Sequence, residues 1–212
     1  MSTASISSTL KALFDAERAV RSSHLALLQE DQPALVDTLA AAVDEAAALN
    51  DRAESSLRLV RVAELLSDVE GAKAVDLLIA ILGNAEPEAR HAAGEALEGV
   101  AFDRFKEVAL GVERALGHLE AGNAALTELP YMLAQIPEPG VLKLLGKFLK
   151  HNDAEAVAAA IEALVECGDP TTVSLLMPLE KDSRSVQIEE DDEARVTIGE
   201  LAKEARDFLQ KL

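Results

Sequence analysis

The sequence predicts an all-α fold, an α-solenoid of about five stacked helical hairpins with an additional N-terminal helix, on three observations. Leu66, Leu97, Leu133 and Leu164 close four Ala- and Leu-rich segments at intervals of 31, 36 and 31 residues, with Val69, Val100, Ile136 and Cys167 three residues after each. A second apolar run follows every segment, carrying the pairs Leu77–Leu78, Val108–Ala109, Leu144–Leu145 and Leu175–Leu176. Hydrophobic residues make up 49% of the chain but aromatic residues only 3%, with no Trp. The apolar content is therefore mostly Ala, Leu and Val, which suits close-packed helices better than strands. Self-similarity at this period marks a stack in which each unit buries its apolar face only against its neighbours.

The elements follow in order. Ile6, Leu10, Leu13, Phe14, Val20, Leu25 and Leu28 place one apolar stripe along a helix from about residue 5 to 29. Asp31-Gln32-Pro33 ends it, and Pro33 suits the first turn of the next helix, which runs through Leu35, Leu39, Val43 and Leu49. Residues 1–31 thus form a separate N-terminal element, and 32–212 the repeat stack. Asp51 is positioned to cap a helix through Leu57, Val60, Leu65 and Leu66. Gly71 starts the next, Gly83-Asn84 turns, and Pro87 opens another that reaches Leu97. A separate, longer helix is expected from about Asp103 to Glu120, broken by Gly122-Asn123. Pro130 falls inside the next helix and should kink or delay it. Pro137-Glu138-Pro139-Gly140 is a turn, helices form around Leu145 and Ile161, and Asn152-Asp153 caps between them. Asp169-Pro170 begins a helix that Pro178 shortens. Lys181 to Asp192, ending in Glu189-Glu190-Asp191-Asp192, reads as a polar surface loop, and a last helix reaches Leu212.

A unit of this length holds two helices and two turns. The segment from Ala74 to Leu97 resembles a HEAT-like repeat of the short bacterial type. It has an apolar first helix, the Asn84 turn, Pro87, Arg90 early in the second helix, then Ala92-Ala93-Gly94-Glu95-Ala96-Leu97. Val141 to Leu164 is similar, keeping Asn152-Asp153-Ala154-Glu155-Ala156 but with Val157 in place of the Arg. Glu193 to Ala202 restores Arg195, and the unit around Glu128-Leu129-Pro130-Tyr131 departs most. The resemblance covers about residues 51–212. It implies a solenoid and, as a function, protein–protein interaction as an adaptor or scaffold. It also implies an alternative, a chromophore-handling protein similar to phycobilin lyases, although Tyr131 is the one tyrosine available to such a site.

Charge narrows the partners. With 38 Asp and Glu against 20 Lys and Arg, the formal net charge is −18. Such a chain repels nucleic acid and anionic membranes unless a basic patch intervenes, and Arg52, Arg58 and Arg61 are interleaved with Glu54 and Glu64. Neither nucleic-acid binding nor membrane insertion is expected. The single cysteine cannot form an intramolecular disulfide and no apolar leader opens the chain, so the reading is cytoplasmic. His24, His91, His118 and His151 occupy different places in their units, and none is followed by Glu. No metal, cofactor or catalytic set is therefore expected. Cys167 stands where its counterparts are Val or Ile, and is read as a core residue.

Alignment of the units isolates a sharper feature. Glu64, Glu95, Glu162 and Glu200 share one repeat position, with Tyr131 in the middle unit. Lined up along the second helices, these five residues would form an acidic ladder on the concave face for a partner protein with a basic segment. The N-terminal helix is expected to cap the first repeat or, alternatively, to pair with a second copy as a homodimer.

Overall fold

The computed structural model describes residues 3–188 and 191–212. Ten α-helices are found among them: α1 (Thr3–Leu27), α2 (Gln32–Ala47), α3 (Arg52–Ser67), α4 (Ala72–Leu82), α5 (Pro87–His118), α6 (Ala124–Ala134), α7 (Gly140–Phe148), α8 (Ala154–Cys167), α9 (Val173–Leu176) and α10 (Ile198–Leu209). Single 3-10 turns flank α9, and one antiparallel hairpin, β1 (Ser185–Ile188) with β2 (Asp191–Thr197), precedes α10.

The helix starts follow from side-chain capping. Asp31, Asp51, Asn123 and Asp153 each accept a hydrogen bond from the first-turn amides of α2, α3, α6 and α8. Thr197 and Glu200 form a reciprocal capping box at α10. Asp153 also accepts from the Gly122 amide at 2.7 Å, so one carboxylate starts α8 and pins the turn before α6.

The repeat register survives in the packing. Leu66, Leu97, Leu133, Leu164 and Ala202 are fully buried, as are Leu78, Val108, Leu145 and Leu176 from the second runs. α3 packs on α4 and α5, α6 on α7 and α8, and α8 on α10. Each buried leucine contributes about 1.5–3 kcal/mol. An exposed ion pair such as Arg58–Glu54 contributes roughly 0.2–1 kcal/mol, so apolar burial decides the fold. Small residues let helices approach: a Cβ on Gly111 of α5 would lie 2.4 Å from Val75 Cγ1 of α4.

Several expectations change. The two helices expected around Leu97 and Val108 are both present but meet without a loop, so α5 (Pro87–His118) consists of two halves joined at a kink where Arg104 is non-helical (φ −136°, ψ 45°). The Arg104 guanidinium donates to the carbonyls of Ser67 and Val69 just past α3, both at 3.1 Å, which holds the kink in place. Pro130 does lie inside α6, as expected, and is buried there. Ser185 to Thr197 is not all loop and helix: Val186 pairs with Val196 and Gln187 with Arg195, so β-branched residues alternate with polar ones. Val186 is buried while Gln187 and Arg195 are exposed, and α10 begins at Ile198 rather than near Glu193. Of the acidic run, Glu189 and Glu190 lie outside the described residues. The expected cap is not formed either: Ile6, Leu10, Leu13, Phe14, Val20 and Leu25 are exposed. α1 is held near its end, through His24 Nε2 and Asp68 Oδ2 at 2.8 Å and through Leu28 against the core.

The hairpin seats closely on the start of α10. The Gly199 amide donates to the Asp182 carbonyl at 3.0 Å, and a Cβ on Gly199 would fall 2.8 Å from the Glu180 carbonyl oxygen and 3.0 Å from that of Asp182. Both obstacles are backbone. Gly199→Ala is therefore expected to lower the unfolding free energy by about 1–3 kcal/mol, read as a lower urea midpoint at unchanged slope.

Candidate functional site

Four open grooves lie between consecutive helices, and the ladder residues connect them. Glu64 and Glu95 line the first, of about 590 Å³ between α3 and α5, over Val60, Ala92 and Ala96. Glu95 and Tyr131 line the second, between α5 and α6. Tyr131 and Glu162 line the third, about 720 Å³, floored by Ala158 and Ala159 and walled by Val186 and Val196 of the hairpin. Glu162 and Glu200 line the fourth, about 820 Å³ between α8 and α10, over Val165, Leu201 and Phe208. Each ladder residue between the two ends is thus shared by adjoining grooves, and all five follow one another along a single face.

Their immediate partners differ. Glu64 accepts from Arg61 at 2.8 Å, and this bond makes the Arg61 guanidinium harder to deprotonate than usual. Glu95 lies 3.6 Å from His91 Nε2 one turn earlier. Tyr131 donates its hydroxyl to Glu162 Oε2 at 2.5 Å, so the middle unit's departure from Glu joins its neighbour rather than interrupting the row. Glu200 caps α10: the Thr197 amide and hydroxyl donate to its carboxylate, which holds it below the ordinary glutamate range.

Alignment of the repeats alone missed more than half of the carboxylates on this face. Glu88, Glu98, Glu128, Glu155, Glu204 and Asp207 also line the grooves. Each stands three, four or seven residues from a ladder position, the helical neighbour spacing that could have found them. Against these stand Arg90, Lys203 and Lys211. Arg90 is partly engaged, its Nη1 donating to the carbonyls of Asn84 and Ala85 at 3.1 Å each. Carboxylates around a small-residue floor can accept Lys or Arg head groups while the floor takes their aliphatic stems.

Arginines clamp the turns around this face. Where Val157 stands at the position that Arg90 takes in α5, the guanidinium comes from Arg184, whose Nη1 donates to the carbonyls of His151 at 2.8 Å and Asn152 at 3.0 Å. Asp182 holds Arg184 through bonds of 2.6 to 3.1 Å. Those bonds, from Arg184 foremost, depress the Asp182 carboxyl below its usual range.

The remaining candidates stay apart. His118 contacts the Arg114 carbonyl, His151 accepts from the Asp153 amide, and His24 sits at the end of α1. Among the described residues no group of three or more His, Cys, Asp or Glu is placed to hold a metal. Cys167 is half-buried against the core, and burial, with Glu166 and Asp169 nearby, pushes its thiol up. No helix among the described residues is long and apolar enough to cross a membrane.

No protein-family model matches the chain, and no curated protein matches it. Among solved structures, a crystallised engineered protein is similar at 17% identity, over 91% of this chain and 97% of that one, with a TM-score of 0.33. A likeness of that size carries no argument about fold or activity.

The depressed Asp182 gives the hairpin an acid limit. Its contribution is complete above the unfolded aspartate value of about 3.9 and is lost as pH falls through the lower folded value. Asp182→Asn should be less stable than the parent at pH 7, with the difference shrinking toward pH 2. Urea midpoints of both proteins across this range measure it.

Proposed function

We propose that this chain is a non-enzymatic binding module: a HEAT-like α-solenoid that serves as adaptor or scaffold and takes a basic segment of a partner protein on its acidic face, in the cytoplasm. The observation that carries this reading is the continuity of the face, in which every neighbouring pair from Glu64, Glu95, Tyr131, Glu162 and Glu200 shares a groove. Equivalent positions on stacked second helices produce such a row, and the resemblance of residues 74–97 to a HEAT-like unit supplies the stacking. Small apolar floors between carboxylate rims favour a helix or strand with Lys or Arg beside an apolar stripe. A chain carrying −18 overall also attracts a basic partner from a distance at low salt.

The test is fluorescence anisotropy with a synthetic amphipathic helix bearing lysines along both edges of a leucine stripe. An exposed ion pair contributes about 0.2–1 kcal/mol, and reversal turns attraction into repulsion, so Glu95→Lys with Glu162→Lys should weaken binding roughly tenfold. Raised salt should narrow the gap between the two proteins. Equal binding by the parent and the double variant would remove the acidic face from the proposal. Affinity capture from the native cell with both proteins then identifies the physiological partner.

A further inference from the structure

We propose that α1 of one copy of this chain docks into the groove between α8 and α10 of a second copy. The inference rests on reading the acidic face as a binding surface, and names its occupant.

Two unsatisfied surfaces point to each other. α1 exposes Ile6, Leu10, Leu13 and Phe14, each about half or more accessible, on a helix of 25 residues anchored near its end through His24. A contiguous apolar stripe of this kind on an extended helix marks an interaction surface. The groove between α8 and α10 is the roomiest of the four, with Val165, Leu201 and the half-exposed Phe208 on its floor, and four carboxylates, Glu162, Glu200, Glu204 and Asp207, against Lys203 and Lys211 on its rim.

Charge selects this pairing over the symmetric one. α1 holds three of the chain's 20 basic residues, Lys11, Arg18 and Arg21, and two of its 38 acidic ones, Asp15 and Glu17. It carries one net positive charge on a strongly negative body, and with Arg18 paired to Asp15, Lys11 and Arg21 are the cations it has to offer. Lys11 and Arg18, two turns apart, run beside the Phe14 edge of the stripe, and Arg21 lies two turns beyond Phe14 itself. Pairing α1 with another α1 would set like charges side by side. Insertion between α8 and α10 instead brings these cations to the carboxylate rim while the stripe covers Phe208 and Leu201. The contact is heterologous, so each copy keeps a free helix at one end and a free groove at the other.

Sedimentation velocity of the full chain tests this, because all the altered residues are exposed and circular dichroism reports any loss of helix. The parent should grow in mass with concentration up to about 200 µM. Leu10→Glu with Phe14→Glu should abolish growth, and so should Glu162→Lys with Glu204→Lys. An equimolar mixture of these two variants should form a one-to-one dimer, since one retains the groove and the other the helix. A parent that stays monomeric, a groove variant that still associates, or a mixture that fails to complement would overturn the inference. A monomeric parent that still binds the lysine-edged peptide overturns this docking alone; loss of peptide binding overturns the reading of the face.

Discussion

The helices after α1 have apolar faces too small to be stable in water alone, and only neighbouring helices cover them. Leu66, Leu97, Leu133 and Leu164 sit at the centre of that dependence, each enclosed with no exposure. Their neighbours are largely alanine: in α8, Ala156, Ala158, Ala159, Ala160 and Ala163 are all buried. Alanine adds little area but brings backbones close, so the stability rests on many short contacts around a few leucines. The outer surface is consequently free of structural duty and can carry the excess of carboxylates.

Close helices leave another demand, since the carbonyls at each turn must find donors. Arginine meets it three times: Arg90 at Asn84 and Ala85, Arg104 at Ser67 and Val69, and Arg184 at His151 and Asn152. A planar guanidinium with several N–H groups suits two carbonyls at once. Three of the chain's 20 Lys and Arg thus serve turns, while the face between the helices keeps its negative sign.

Periodicity made the helices legible, because burial at residues such as Leu97 and Leu133 is a local pattern. Caps at Asp51 and Asp153 were readable for the same reason. A break before Asp103 was readable too, but the bonds that hold the kink at Arg104 were not, since they reach carbonyls some 35 residues earlier in the chain. Arg184 escaped notice too, acting across a gap of 32 to 33 residues on a unit that lacks its own arginine. The hairpin was obscured by its polar composition; Val186 and Val196 are its inward pair, too few to announce a strand. At the candidate site, one residue per unit could be found by aligning repeats. The flanking carboxylates needed the helical spacing as well, and the exposure of the α1 stripe depends on where that helix lies relative to α3.

The two halves of α5 meet without a loop, and this has a consequence for how the chain comes apart. In arrays of separate hairpins, end units can open one at a time. Here the kink at Arg104 joins the two halves directly, and its guanidinium ties them back to the end of α3. Opening either half strains the other, so α3, α4, α5 and the helices against them should behave as one block in hydrogen exchange. Protection would then fall away toward α1, whose apolar stripe is exposed.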